Sequence, residues 1–406
     1  MPRSRALAHL LVTVASTGAL SAQSGMVQLP GQGRSAPEAR PDHAFVVDAL
    51  GQGDFLDLPA AVASAPEGAL LLVRAGDYSG VTISGKSLRV QCEAPGAARV
   101  HGSLRIADVG ATQDVLLFGL ELRAGLEVSR CAGEVSLTAC SSPTNAGPVP
   151  PPPWLNFWQY PLCGLGDVQH RVIDSAAVSL VDCAFHGRDG ASTACDGSPG
   201  EHALSVTDSR VAVYGGVLAG GDGADGPGCH GGYAGSGGDG LQARGSTTRV
   251  HVCDAVLVGG EGGVDLNSFG LDGCDGIEAR ALGGAAVDQC PPAAVGLEIA
   301  ALARTGDRPA YTITAPPGSD LFLLIAPARD WREFAAAEGV LHVSPGFTIV
   351  PLGTMSASGS FTRPFPAPGP EWGRAFANAE LQVVARVSGQ DRYSEPRSLN
   401  VVHPWL

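Results

Sequence analysis

Asp189, Asp222 and Glu261 hold equivalent places in three related stretches, AVSLVDCAFHGRDG (177–190), RVAVYGGVLAGGDG (210–223) and RVHVCDAVLVGGEG (249–262). Carboxylates repeated at one spacing can hold a hard cation through oxygen or share a proton. If the three stretches stack as neighbouring strands, the carboxyl groups stand about 5 Å apart. Like charges that close repel unless a cation or a proton intervenes. Asp225 lies in the same loop as Asp222, Asp239 and Asp265 follow nearby, and GGDGADG (220–226) matches one copy of a nonapeptide calcium turn. Such turns work in tandem, and only one copy is present. Asp189, Asp222, Asp225 and Glu261 are therefore the candidate calcium ligands. If the insertions splay the loops apart, they are instead separately solvated acids.

A second candidate is aromatic. GPVPPPPWLNFWQYP (147–161) places Trp154, Phe157, Trp158 and Tyr160 behind a polyproline run. Exposed rings on a stiff loop can stack on the C–H faces of sugars, which points to a carbohydrate-binding patch. The competing expectation is that they fold back as a lid over a solenoid poor in other large side chains. Arg210 and Arg249 align just before a valine column and are possible proton abstractors, or else solvated arginines at the start of a strand. The glycine-rich loop (215–240) has no Gly-Lys-Ser/Thr and no strand–helix frame around it, so it is not a nucleotide site. His186, His202 and His230 are isolated and read as surface or turn residues.

The elements that position these groups follow from the repeat. Val178, Val211 and Val250 share a column, as do Leu180, Val213 and Val252, then Phe185, Leu218 and Leu257, then Gly187, Gly220 and Gly259. DVLLFGLELRAG (114–125) fits the same frame, and VTISGKSLRV (81–90) and GLEVSRCAGEVSL (125–137) look like shorter coils. Alternation at period two marks half-buried strands. Short strands, glycine turns and a smallest repeat of about 20 residues suit a stacked solenoid with one continuous core. Paired hairpins would need systematic Asn-Gly or Asp-Gly turns, which are lacking.

DLPAAVASAPEGALLLVRAGDYSGVTISGKSLRV (57–90) reads as a short amphipathic helix, a strand, an Ala-Gly-Asp-Tyr turn and a first coil. This resembles the opening of right-handed parallel β-helix proteins of the pectin-lyase-like superfamily, over about residues 57–290. The resemblance implies the fold and little about activity, since the fold hosts lyases, hydrolases, esterases, tailspikes and non-catalytic surface proteins. The family's enzymatic signatures are not intact. TQDVLLFG (112–119) keeps only a Gln-Asp of the methylesterase motifs. GCHGG (228–232) lacks the aspartates of a polygalacturonase-type site.

The expected fold class is all-β: a right-handed parallel β-helix followed by a small β-sandwich-like domain. The expected boundaries are a signal peptide at 1–22, a linker at 23–43 and the β-helix at 44–290. The helix carries a Pro/aromatic insertion (141–169) and the glycine-rich loop (215–240), and a C-terminal module spans 291–406. The latter region has no cysteine, and its phrases AYTITAPPG and LQVVARVSG read as strands. ARDWREFAAAEG (328–339) reads as one short helix, and the end of the chain resembles the β modules that follow some secreted bacterial β-helices.

Composition narrows the function. The 56 glycines and 30 prolines favour a turn-rich β protein over a helical one, and the net charge of −14 excludes a nucleic-acid partner. Arg3 and Arg5 precede an apolar run at 6–20 and small residues near Ala22, the layout of a secretory signal, with no later transmembrane segment. Cys92, Cys131, Cys140, Cys163, Cys183, Cys195, Cys229, Cys253, Cys274 and Cys290 are an even set without a CxxC pair, so disulfides of open pairing are expected in an oxidising compartment. The expectation is an exported or cell-surface protein, extracellular or periplasmic. It would bind a polysaccharide or cell-envelope glycan, or serve structurally, without catalysis. The alternative is a divergent polysaccharide lyase or glycoside hydrolase working beside a β-face.

Overall fold

The computed structural model describes residues 27–28, 43–143, 169–192, 196–226, 233–266, 272–290, 295–327, 329–333, 337–338, 340–344, 346–365 and 376–402. The signal-peptide reading, the aromatic set Trp154, Phe157, Trp158 and Tyr160, and Cys163, Cys195 and Cys229 lie outside these residues.

From Ala44 to Gln289 the chain winds as a three-sided parallel β-helix. One side is a nine-stranded sheet running from Ala44–Val47 through Ala177–Val181, Arg210–Tyr214 and Arg249–Cys253 to Ala286–Gln289. A second is a seven-stranded sheet from Val81–Ser84 to Ala279–Leu282, and short strands such as Ala184–His186, Val217–Ala219 and Val256–Val258 form the third. Pairing is parallel and in register: Val178 faces Val211, which faces Val250. The columns read from the sequence are the inward ones. Val115, Val135, Val178, Val211 and Val250, with Leu117, Leu137, Leu180, Val213 and Val252, are all buried in one core. The strands Ala44–Val47, Ala69–Val73 and Ala286–Gln289 extend the stack at both ends.

One corner sets the phase of every coil. After each strand of the seven-stranded sheet comes a residue of positive φ: Gly85, Asp108, Arg130, Asp174, Asp208, Gly245 and Gly283. Glycine takes this region without cost, and a short Asp side chain tolerates it by bonding locally. The first coils are closed by the helix Leu58–Ser64, with Asp57 as N-cap accepting the Leu58 N–H and Pro59 in the first turn. Its apolar residues Leu58, Ala61 and Val62 are buried against the solenoid core.

Beyond the solenoid, a mixed eight-stranded sheet and an antiparallel three-stranded sheet face each other across a second core. Leu297, Tyr311 and Ile313 from the small sheet meet Leu321, Leu323, Leu381 and Val383 from the large one. Val27–Gln28 joins the large sheet antiparallel to Thr348–Thr354. Where it is described, the stretch read as a short helix is extended instead. Arg329–Glu333 pairs antiparallel with Val340–Val343, whose four residues are buried, and this tertiary pairing overrides the local helix propensity.

Candidate functional site

Four insertions leave the solenoid at one and the same corner, between the third side and the seven-stranded sheet. They fall between residues 142 and 170, 186 and 204, 219 and 241, and 258 and 279. The last three pack into a slab. Its outgoing rows are 187–192, 220–226 and 259–265, and its returning rows are 197–202, 233–240 and 272–278.

The slab is neither helix nor sheet. Its hydrogen bonds repeat every third residue, the period of a polyproline II helix, which has three residues per turn and no internal bonds. In the outgoing layer Gly187 N–H donates to the Ala219 carbonyl and Gly190 N–H to Asp222 (2.8 and 2.7 Å), and Gly220 and Gly223 donate to Val258 and Glu261 (2.9 and 2.8 Å). The next residue of each triplet bonds across the layers: Gly221 to Glu201 at 2.9 Å, Gly238 to Gly221 at 2.8 Å, Gly260 to Gly238 at 2.8 Å and Gly276 to Gly260 at 2.8 Å. Rows this close leave no room for Cβ. An alanine methyl at Gly221 or Gly223 would lie 2.0 Å from the carbonyl oxygen of Arg188 or Gly235 respectively. In the first row the place of Gly221 and Gly260 is taken by Arg188, beyond which no further row lies among the described residues.

The third N–H of each triplet faces outward, and here the acidic column acts. Asp189 Oδ1 accepts the Asp222 N–H at 2.9 Å, and Asp222 Oδ1 accepts the Glu261 N–H at 2.7 Å. Asp225, one triplet along, accepts the Val264 N–H at 2.8 Å. On the returning face Asp196 takes the Tyr233 N–H, His202 Nδ1 the Asp239 N–H and Asp239 Oδ1 the Ile277 N–H, at 3.1, 2.7 and 3.0 Å. Asp189, Asp222 and Glu261 thus stack as the spacing suggests, while Asp225 belongs to a neighbouring column. Each of the three aspartates is engaged by a backbone donor. Among the described residues no group of three or more His, Cys, Asp or Glu is arranged to hold a metal.

At the root of the slab lies a buried polar network. Arg280 forms a forked ion pair with Asp239, Nε–Oδ2 2.6 Å and Nη2–Oδ1 2.9 Å, and Gln242 Nε2 lies 2.9 Å from His202 Nε2. Burial works to raise the Asp239 carboxyl, but the Arg280 guanidinium and the Ile277 N–H outweigh it and hold it below the ordinary carboxylate range. His202, expected at the surface, is fully buried, because its ring supplies the acceptor that a row without an aspartate at that place needs.

The outward face of the nine-stranded sheet is not open. Leu70 and Leu72 pack against Phe376 and Val402, and Asn400 Nδ2 donates to Gln91 Oε1 at 3.2 Å. Tyr214 Oη and His342 Nε2 share a hydrogen bond of 3.1 Å, and Arg397 Nη1 reaches Asp182 Oδ2 at 2.6 Å. On the seven-stranded sheet, outward acid and base alternate: Glu127 lies between Arg105 and Arg171, its oxygens 3.1 and 3.0 Å from their Nε atoms. Burial pushes the Glu127 carboxyl up, and the two guanidinium groups together with the Ser129 hydroxyl bring it below its usual range. On the third side Asp77 is bound by Arg99 and His101 at 2.8 and 2.7 Å. Arg210 and Arg249 face each other across the sheet as the register implied. Arg249 donates to the Thr248 carbonyl at 2.8 Å.

The cysteines divide. Cys253 and Cys290 are joined by a disulfide, and Cys274 is disulfide-bonded as well. Cys92, Cys131, Cys140 and Cys183, counted among the disulfide candidates, stand as buried thiols, packed as small apolar side chains into the solenoid core.

Neither a protein-family model nor a curated protein matches this sequence. Among the described residues no helix is long and apolar enough to cross a membrane.

Proposed function

We propose that this is an exported or cell-surface β-helix protein that binds a polysaccharide or cell-envelope glycan without transforming it, through the corner that carries the insertions. The observation that carries the reading is the slab itself: three successive insertions are built into a rigid, hydrogen-bonded platform at a single corner. A binding surface benefits from such preorganisation, since little ordering remains to be done when ligand arrives. The chain on either side of the aromatic insertion, Pro143 and Gln169, lies at the same corner one coil earlier. Two further observations support a non-catalytic role. The face of the nine-stranded sheet is occupied by the C-terminal region, and outward carboxylates on the other faces alternate with arginines. The Cys253–Cys290 disulfide supports an oxidising, extracytoplasmic setting, as does the resemblance of residues 57–290 to secreted pectin-lyase-like β-helices.

The experiment is retention of the purified mature protein on insoluble plant, algal and bacterial polysaccharides, with parallel assays for new reducing ends and for unsaturated uronic products. Retention without product, weakened by Trp154→Ala and Trp158→Ala at unchanged melting temperature, is the expected result. Product would replace this reading with a lyase or hydrolase. Failure to bind any polysaccharide would leave a structural surface protein.

A further inference from the structure

The solenoid interior carries a short column of thiols just where the nine-stranded sheet turns into the third side. Thr138 and Val181 are strand partners, and the Ala184 N–H donates to the Cys140 carbonyl at 2.9 Å. Cys140 and Cys183, each two residues past that pair, therefore occupy one point on successive coils. Both side chains are buried, Ser141 and Ala184 beside them form a parallel bridge, and Cys183 Sγ and Cys140 Sγ lie 3.4 and 3.6 Å from the Leu137 and Thr138 carbonyls. The same relationship is already bridged elsewhere in the stack: Cys253 and Cys290 also sit on successive coils, with Cα atoms 4.8 Å apart, and are disulfide-bonded. That separation is the spacing of neighbouring strands, and it lies within the range a disulfide spans.

We infer that Cys140 and Cys183 form a second coil-to-coil disulfide in the oxidised protein, closing the coil from which the insertion at 144–168 departs. The stacking of the coils sets the two residues at the spacing of neighbouring strands, which a disulfide spans. In the reaction the two thiols give up two protons and two electrons to a small-molecule or protein disulfide. One sulfur–sulfur bond forms in the chain as one breaks in the oxidant, which leaves as two thiols. Both side chains are sealed in the core, and burial pushes the Cys183 thiol well above its ordinary value, so the folded protein reacts slowly. The bond is made while the chain folds and is then protected. The bond itself does not depend on the glycan-binding reading.

The test uses the full chain recovered from an oxidising compartment, denatured with an alkylating agent but no reductant. Trypsin, cutting after Arg130, Arg171 and Arg188, separates the two cysteines. The expected product is the 172–188 peptide linked to the 131–171 peptide, with fragmentation placing the bond at Cys140. Alkylated Cys183, or a bond from it to Cys131 or Cys163, overturns the inference. A thermal cycle provides a second reading that does not rely on digestion. Cys183→Ala alone and Cys140→Ala/Cys183→Ala together should lower the melting temperature equally, on the order of 2–5 °C. Additive losses from the two substitutions would mean independent thiols and would also overturn it.

Discussion

Asp222 is bonded to the backbone on both sides of its row: its side chain accepts the Glu261 N–H at 2.7 Å, and its own N–H is accepted by Asp189. The residue carries structural information in both directions, and its charge is incidental to that work. An unmet N–H facing a neighbouring row costs about 1–3 kcal/mol. Asp222→Ala should therefore destabilise the protein by that amount in urea unfolding, whereas Asp222→Asn keeps a carbonyl acceptor and should lose less than half as much. Equal losses would show that charge, not acceptor geometry, matters.

The glycine pattern permits a sharper test. Gly223→Ala would press a methyl 2.0 Å from the Gly235 carbonyl, so the rows must separate. A cost of about 1–3 kcal/mol is expected from such overpacking. Hydrogen exchange should lose protection at the Gly220, Gly235 and Gly238 amides first, leaving the Val211 and Val250 strands protected. Uniform loss across both would mean the slab and the solenoid open as one unit.

Chelation should have little effect. The column aspartates already accept backbone N–H donors, so dialysis against a calcium chelator is expected to shift the melting temperature by less than about 1 °C, a change worth no more than about 1 kcal/mol in a protein this large. Stoichiometric calcium surviving dialysis, with a large fall on its removal, would reverse that expectation.

His170 should make stability fall with acid. It occupies the inward place held by Leu126 and Leu204 on the adjacent coils, is fully buried, and stacks on Phe185 at 4.5 Å. Among the described residues neither of its ring nitrogens has a hydrogen-bond partner. Burial, with lesser repulsion from His186 and Arg188, lowers its pKa from 6.5 to about 3. The folded state thus holds the neutral ring, while the unfolded chain binds a proton below about pH 6.5. Stability is complete above that pH and declines toward pH 3, by about 1.4 kcal/mol per unit, or about 2 kcal/mol between pH 6.5 and 5. Urea midpoints at pH 7 and 5 measure it. His170→Leu, which restores the leucine column, should flatten most of the slope, and an unchanged slope would place the acid sensitivity elsewhere.

Much of the solenoid was legible in the sequence. Val178, Val211 and Val250 repeat because an inward position admits only apolar side chains, so period and register are written directly. The corner was legible too: Asp108, Asp174, Asp208 and Gly245 mark a left-handed turn after each strand, a signal that the valine columns overshadow. The slab was harder to read. Its glycines fall at every third place, as in GGDGADG, and that period belongs to neither helix nor strand. Asp189, Asp222 and Glu261 drew a metal reading because the sequence gives the stacking of carboxylates without the N–H groups they meet. His202 and Asp239 are 37 residues apart, and only the folding back of two rows brings them together. Tyr214 and His342 lie farther apart still, and nothing local predicts their contact.

The last row of the slab closes itself. Gly262 and Asp265 have no further row to donate to, and their N–H groups are taken by Asp275 and Asp272 from the returning row, each at 2.8 Å. Two aspartates therefore act as a full stop, and the layers above are free to vary in number. Duplicating Arg210 through Thr248 in frame would insert another coil bearing its own glycine hairpin, while the terminating pair stayed outermost. The size of the platform is then a countable property of the gene, open to expansion or contraction one coil at a time without redesign of either end.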